Sequence, residues 1–325
     1  MSTNARRLRA ALQLLVGAAL LAWLLVSVSW SELRTTLASA SPPLMIAACA
    51  LYYLGVILSC WKWGTLLRLD GIQLPFARLF RWYLIGAFAS NYLPTEIGGD
   101  LGRVLIAGRA TGRPLVIARS ILTERASGLL FMLVLAWAGL ALVLGQAALA
   151  LALVPVSLVV VVVLATTAAR QASAFPFAPL LVRPWQRLPA SVRQAVREST
   201  VALRGYLRWP AALALVAALS LAFQILAGAG VWLNLAAVGA TLPLVIVVLS
   251  AAIMGVAGLL PITLNGWGVR EGLFVALLTP FGATAGQALA AALLGRALLL
   301  LVTLPGALLL LLERRAPAPQ PTLKP

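Results

Sequence analysis

Eight long apolar stretches, separated by short polar loops, occupy residues 8–29, 43–63, 82–102, 116–144, 147–169, 210–237, 243–283 and 286–312. A helix needs about 20 apolar residues to cross the hydrocarbon of a bilayer, and the stretches approach or exceed that length. The pattern predicts an all-α polytopic membrane protein. Two stretches are interrupted by the same phrase. Leu93-Pro94-x4-Gly99-x3-Arg103 in the third recurs as Leu260-Pro261-x4-Gly266-x3-Arg270 in the seventh. Proline removes a backbone donor, glycine loosens the helix, and arginine brings a permanent charge. Broken backbone persists at membrane depth only inside protein or along a wet cavity. Matching interruptions in corresponding halves point to the binding site of a transporter.

Charge gives each stretch a direction, because cytoplasmic loops carry an excess of Lys and Arg. The 23 Arg and 2 Lys lie mostly in short loops, so the net charge of +17 reads as loops facing anionic lipid and not as a nucleic-acid surface. The first span leaves the cytoplasm, the loop at 30–42 is not basic, and the second span returns to Lys62, Arg68, Arg78 and Arg81. The stretch at 82–102 is basic on both flanks, with Arg103, Arg109, Arg113 and Arg119 after it. It is therefore expected to be a re-entrant hairpin, 82–103, that enters from the cytoplasm and turns at 94–99. Spans 116–144, 147–169 and 210–237 then alternate. The basic tail requires 243–283 to begin and end outside, either as a second hairpin or as two full crossings, although the arm at 272–280 is too short to cross unaided.

The bookkeeping gives span, span, hairpin, span over residues 8–144, and the same order with opposite orientation over 147–312. The expected architecture is thus a single membrane domain of two inverted-topology repeats, with about six full spans and two re-entrant hairpins. Glu124-Arg125-Ala126 after the first hairpin is echoed by Gly295-Arg296-Ala297 after the second. Residues 170–209 hold apolar positions at helical spacing among many arginines, either an amphipathic cytoplasmic helix or a solvated basic loop. Residues 313–325 read as a disordered cytoplasmic tail. Arg6, Arg7 and Arg9 before the first stretch, with Ala38-Ser39-Ala40 after it, give it some signal-peptide character. Its length and Trp30 at its end favour a retained span.

Composition excludes several chemistries. The chain is 62% hydrophobic and 10% charged, with no histidine. Its only cysteines, Cys49 and Cys60, share one stretch and would lie about 16 Å apart on a helix, too far to bridge. Neither a His/Cys zinc site nor a Ser-His-Asp triad can be built, and no metal or cofactor is expected.

Of eight acidic residues, Glu96, Asp100, Glu124 and Glu271 fall at membrane depth or beside the repeated phrase, as do Arg103, Arg125, Arg270 and Arg296. Each costs about 2.5–3.5 kcal/mol in mid-membrane on insertion scales, so they must pair, face water or bind a polar ligand. One reading is an ion-pair network clamping the hairpins to the spans that follow them. The other is a cavity in which the four arginines grip a head-group phosphate while the four acids tune its charge. Pro94, Gly98, Gly99, Pro261, Gly266 and Gly268 are the expected turn positions. Asn91 and Asn265 flank the turns and can bond either freed backbone or a ligand. Trp30, Trp61, Trp63, Trp82 and Trp209 read as interface anchors, and Trp267 as a cap on the cavity or a packing residue.

At Asn91-Tyr92-Leu93-Pro94, Gly98-Gly99-Asp100-x2-Arg103, Glu124-Arg125, Leu260-Pro261 and Gly266-x-Gly268-x-Arg270-Glu271, the chain resembles the lysylphosphatidylglycerol synthase transmembrane (flippase-like) family. The resemblance covers about residues 8–312. It departs from the family at Gly99-Asp100, where a glycine-glutamate pair is common. It implies an all-helical protein of the bacterial cytoplasmic (inner) membrane, both termini in the cytoplasm, that moves or handles lipid. The implied partner is an anionic phospholipid or a polyprenyl- or hopanoid-type lipid, with a lipid-synthesis enzyme as a further candidate. With no soluble transferase domain after the last span, synthesis of a modified lipid is not expected. The expected function is a non-enzymatic lipid flippase; its rivals are a membrane transferase on a lipid or polyprenyl phosphate, and a scaffold for lipid-synthesis enzymes.

Overall fold

In a computed structural model of the chain, the described residues are 15–144 apart from 21, 25, 27 and 93–96, then 206, 208–258, 263 and 266–315. They are almost all helical, with no strand among them. After a short apolar helix, Leu15–Leu24, come α1 (Trp30–Ala38), α2 (Pro42–Leu69), α3 (Phe76–Tyr92), α4 (Ile97–Thr111) and α5 (Pro114–Leu144). The second half holds α6 (Pro210–Ala237), α7 (Leu244–Gly258), α8 (Val269–Leu278), a 3-10 turn (Thr279–Phe281), α9 (Ala285–Thr303) and α10 (Pro305–Arg315). Proline opens α2, α5 and α6, where its missing amide donor costs nothing.

Four described helices are long and apolar enough to cross a membrane: Pro42–Leu69, Pro114–Ala141, Pro210–Ala237 and Ala285–Glu313. They match the expected second, third, fifth and last spans. The expected fourth span, most of the basic segment 170–209 and the tail from 316 lie outside the described residues. The four arms of the interrupted stretches are shorter. α3, α4, α7 and α8 have 17, 15, 15 and 10 residues, or about 25, 22, 22 and 15 Å, against about 30 Å of hydrocarbon.

Several boundaries differ from expectation. Residues 30–38 form α1 and not a loop, and Glu32 accepts the Thr284 hydroxyl at 2.8 Å, tying α1 to the start of α9. α2 runs six residues past the expected end, so Lys62 is not in a basic loop. It is buried within the helix, with Nζ 5.9 Å from the Phe223 ring centroid. Arg78 and Arg81 belong to α3. Glu313 belongs to α10 and accepts the Trp82 indole N–H at 3.2 Å, so the tail does not begin at 313.

The last span bends at Pro305. Leu304 N–H turns to Leu301 O at 3.2 Å, and Leu300 O accepts the Tyr92 hydroxyl at 3.0 Å. The Tyr53 hydroxyl donates to Val302 O at 2.9 Å. A proline kink exposes carbonyls, and here tyrosines from α2 and α3 satisfy them.

The packing pairs off between the halves. α2 lies along α6; α3 packs on α4 as α7 packs on α8; α4 packs on α5 as α8 packs on α9. Across the middle, α7 lies on α5 and α3 on α9. Each broken stretch therefore contacts a span of the other half. Two large apolar cores result, one around Trp63, Trp82, Ile85 and Ile117, the other around Leu235, Leu278, Leu289 and Ala291, and a small third joins Leu66, Tyr206 and Val216. At the Leu69 end of α2, Asp70 accepts from Arg119 and from the Tyr206 hydroxyl at 2.8 Å. Burial and that carboxylate hold the Tyr206 phenol above its ordinary pKa.

Candidate functional site

The first broken stretch is built on close backbone approach. A Cβ on Gly99 would overlap the Gly86 carbonyl and the Ser90 hydroxyl, and one on Gly86 would meet the Arg103 stem. Only glycine at both places lets α3 and α4 lie this near. Gly98 and Gly99 are thus in the first turn of α4, which begins at Ile97, and not in a turn before it. Asn91 donates to Ala87 O at 2.9 Å, so it serves the backbone.

This contact sets Asp100 and Arg103 one turn apart on α4. Arg103 is only 2% exposed and donates to Glu124 of α5 at 2.9 Å and to Asp100. Its guanidinium carbon lies 4.5 Å from the Tyr83 ring centroid and 5.2 Å from that of Trp63. Glu124 also accepts the Tyr83 hydroxyl at 3.1 Å, and the Trp63 indole donates to Ser120 at 3.0 Å. Trp63 and Trp82 are therefore buried partners and not interface anchors, whereas Trp30, Trp61 and Trp209 are exposed. Arg125 turns the other way. Its Nε and Nη2 grip the two Asp100 oxygens at 2.8 and 2.9 Å, with the side chain 56% exposed.

The second broken stretch uses a different local device. Gly266 and Gly268 have φ of 71° and 81°, a region costly for side chains bearing a Cβ. The turn they make lets Gly268 N–H donate to Glu271 Oε2 at 2.7 Å, which caps α8. Glu271, also buried, accepts Arg296 of α9 at 3.0 Å through Oε1, and the Arg296 guanidinium lies 4.3 Å from the Trp267 ring centroid. Trp267 thus stacks on a cation instead of lining the cavity. The Arg270 stem lies over Gly266.

Both devices converge on one cavity of about 360 Å³. Its charged lining is Arg103, Arg125, Arg270, Arg296, Asp100 and Glu271, with Tyr83, Ser90 and Asn234 also facing it, and α2 and α6 contribute a largely apolar wall that includes Tyr52 and Phe223. All four arginines singled out from the sequence meet there, from both halves of the chain. Glu124 lies behind Arg103 and does not line it. Glu96, Pro94, Pro261 and Asn265 are outside the described residues.

Sequence reasoning passed over Tyr83, and it placed Trp63 at the membrane interface and Lys62 in a basic loop. Tyr83 lies two turns before Asn91 in a helix already marked as functional, a spacing that could have shown it. Nothing local reveals that Trp63 and Lys62 turn inward. Among the described residues no three His, Cys, Asp or Glu come together as a metal site.

The size and lining of the cavity suit a polar group carried on an apolar body. No curated protein matches the chain. The model of the family described as the lysylphosphatidylglycerol synthase TM region matches residues 10–306, which contain every helix that lines the cavity. The chain is a membrane protein of the lysylphosphatidylglycerol synthase TM region family.

Proposed function

We propose that this protein carries an anionic phospholipid or isoprenoid-type lipid between leaflets, holding the head-group phosphate in the arginine-lined cavity while the acyl chains stay in lipid. The observation that carries this reading is the convergence of Arg103, Arg125, Arg270 and Arg296 from two halves on one cavity with an apolar wall. A purely structural ion-pair network has no need of a cavity, nor of an arginine more than half exposed within it. The paired packing of the halves supports two inverted repeats, in which α3–α4 and α7–α8 are re-entrant hairpins entering from opposite faces. In this arrangement both termini are cytoplasmic, the membrane is the inner one, and the hairpins gate opposite sides. The protein acts as a transporter and not as a transferase.

The test is flipping of fluorescent phosphatidylglycerol by proteoliposomes. Arg125→Gln is expected to lower the rate at least tenfold while the melting temperature in detergent stays within a few degrees of wild type. Wild-type flipping by Arg125→Gln would remove the arginine-phosphate mechanism.

A further inference from the structure

Charge around the cavity is nearly but not fully balanced. Among the described residues, Arg103, Arg125, Arg270 and Arg296 stand against Asp100 and Glu271 in the lining and Glu124 directly behind it. Arginine outnumbers carboxylate in the lining, so it favours an anionic group such as a lipid phosphodiester.

Geometry shows where that group fits. Arg103 is enclosed by two carboxylates and two aromatic rings at 2% exposure. Arg296, 13% exposed, is held by Glu271 and the face of Trp267. Arg125 is 56% exposed and presents two donors side by side to the two Asp100 oxygens at 2.8 and 2.9 Å. That bidentate fork is also how arginine takes phosphate. Asp100 does not depend on Arg125, because its Oδ1 also accepts from Arg103. The matching position of the repeated phrase is Trp267, so the turn itself does not require a carboxylate there.

Building on the transport reading, we infer that the Asp100 carboxylate holds the place of a lipid phosphodiester, and that a head group enters by exchanging with Asp100 on the Arg125 fork. After exchange Asp100 remains on Arg103 and Arg103 on Glu124, so the buried pair persists. The link between α4 and α5 at Arg125 opens. Asp100 thus lowers affinity from inside the site.

The experiment measures lipid retained by the full chain in phosphatidylcholine nanodiscs, with phosphatidylglycerol and phosphatidate as probes. Wild type is expected to retain both probes over phosphatidylcholine. Asp100→Asn is expected to retain phosphatidylglycerol about tenfold more tightly, and Asp100→Glu no more tightly than wild type. Unchanged or weaker retention by Asp100→Asn overturns the exchange. If wild type retains neither probe above phosphatidylcholine, the transport reading itself falls. A measurement on unsubstituted protein stands beside these in case Asp100→Asn does not fold. Phosphatidylglycerol should shift a carboxylate stretching band in the infrared difference spectrum, and absence of that shift also overturns the exchange.

Discussion

Glu124 and Arg125 are neighbours in the chain but point about 100° apart around α5, one toward the core and the other toward the cavity. That divergence separates two kinds of arginine. Arg103 neutralises a carboxylate that is itself 3% exposed, so its loss leaves Glu124 buried without its ion-pair partner. Breaking a buried pair from one side costs about 3–5 kcal/mol. Arg103→Gln should therefore lower the melting temperature in detergent, and adding Glu124→Gln should restore part of the loss. A wild-type melting curve for the single variant would contradict this role. Arg125, more than half exposed, should affect transport far more than melting.

The helices bring these side chains together through two glycine devices of different kinds. In the first broken stretch the requirement is space: a methyl group on Gly99 would collide with backbone of α3. In the second it is conformation, with positive φ at Gly266 and Gly268 shaping the turn that caps α8 on Glu271. Gly102, one turn from Gly99, has open space where a Cβ would go. Overpacking costs about 1–3 kcal/mol, whereas glycine inside a helix costs about 0.5–1 kcal/mol relative to alanine. Gly99→Ala should accordingly destabilise the protein and impair transport, and Gly102→Ala should be neutral or stabilising. Thermal melts of the two variants side by side check the contrast, and equal effects would remove the packing explanation.

Across the whole molecule, the proposed inverted repeats would place the far ends of the two hairpins on opposite faces. With Cys49 and Cys60 replaced by alanine, a membrane-impermeant maleimide should label Thr279→Cys in intact cells, and Arg109→Cys only after permeabilisation. Both positions are exposed. Labelling of both in intact cells would rule out the opposed hairpins.

The apolar stretches, the breaks and the set of charges needing partners were legible in the chain, because run length, Pro and Gly punctuation and residue type are local properties. So α2, α5, α6 and the last span lie where the hydropathy puts them, and all four expected arginines line one cavity. Helix rotation and the distances between segments far apart in sequence are not local. They decided that Trp63, Trp82 and Lys62 face inward, and that Asp100 is shared by Arg103 and Arg125. They also decided that Arg296 rests on Trp267 and Glu271. The sequence determined which residues must find partners inside a membrane. The tertiary structure chose the partners, because a buried charge is stabilised only by groups that packing brings within a few ångströms.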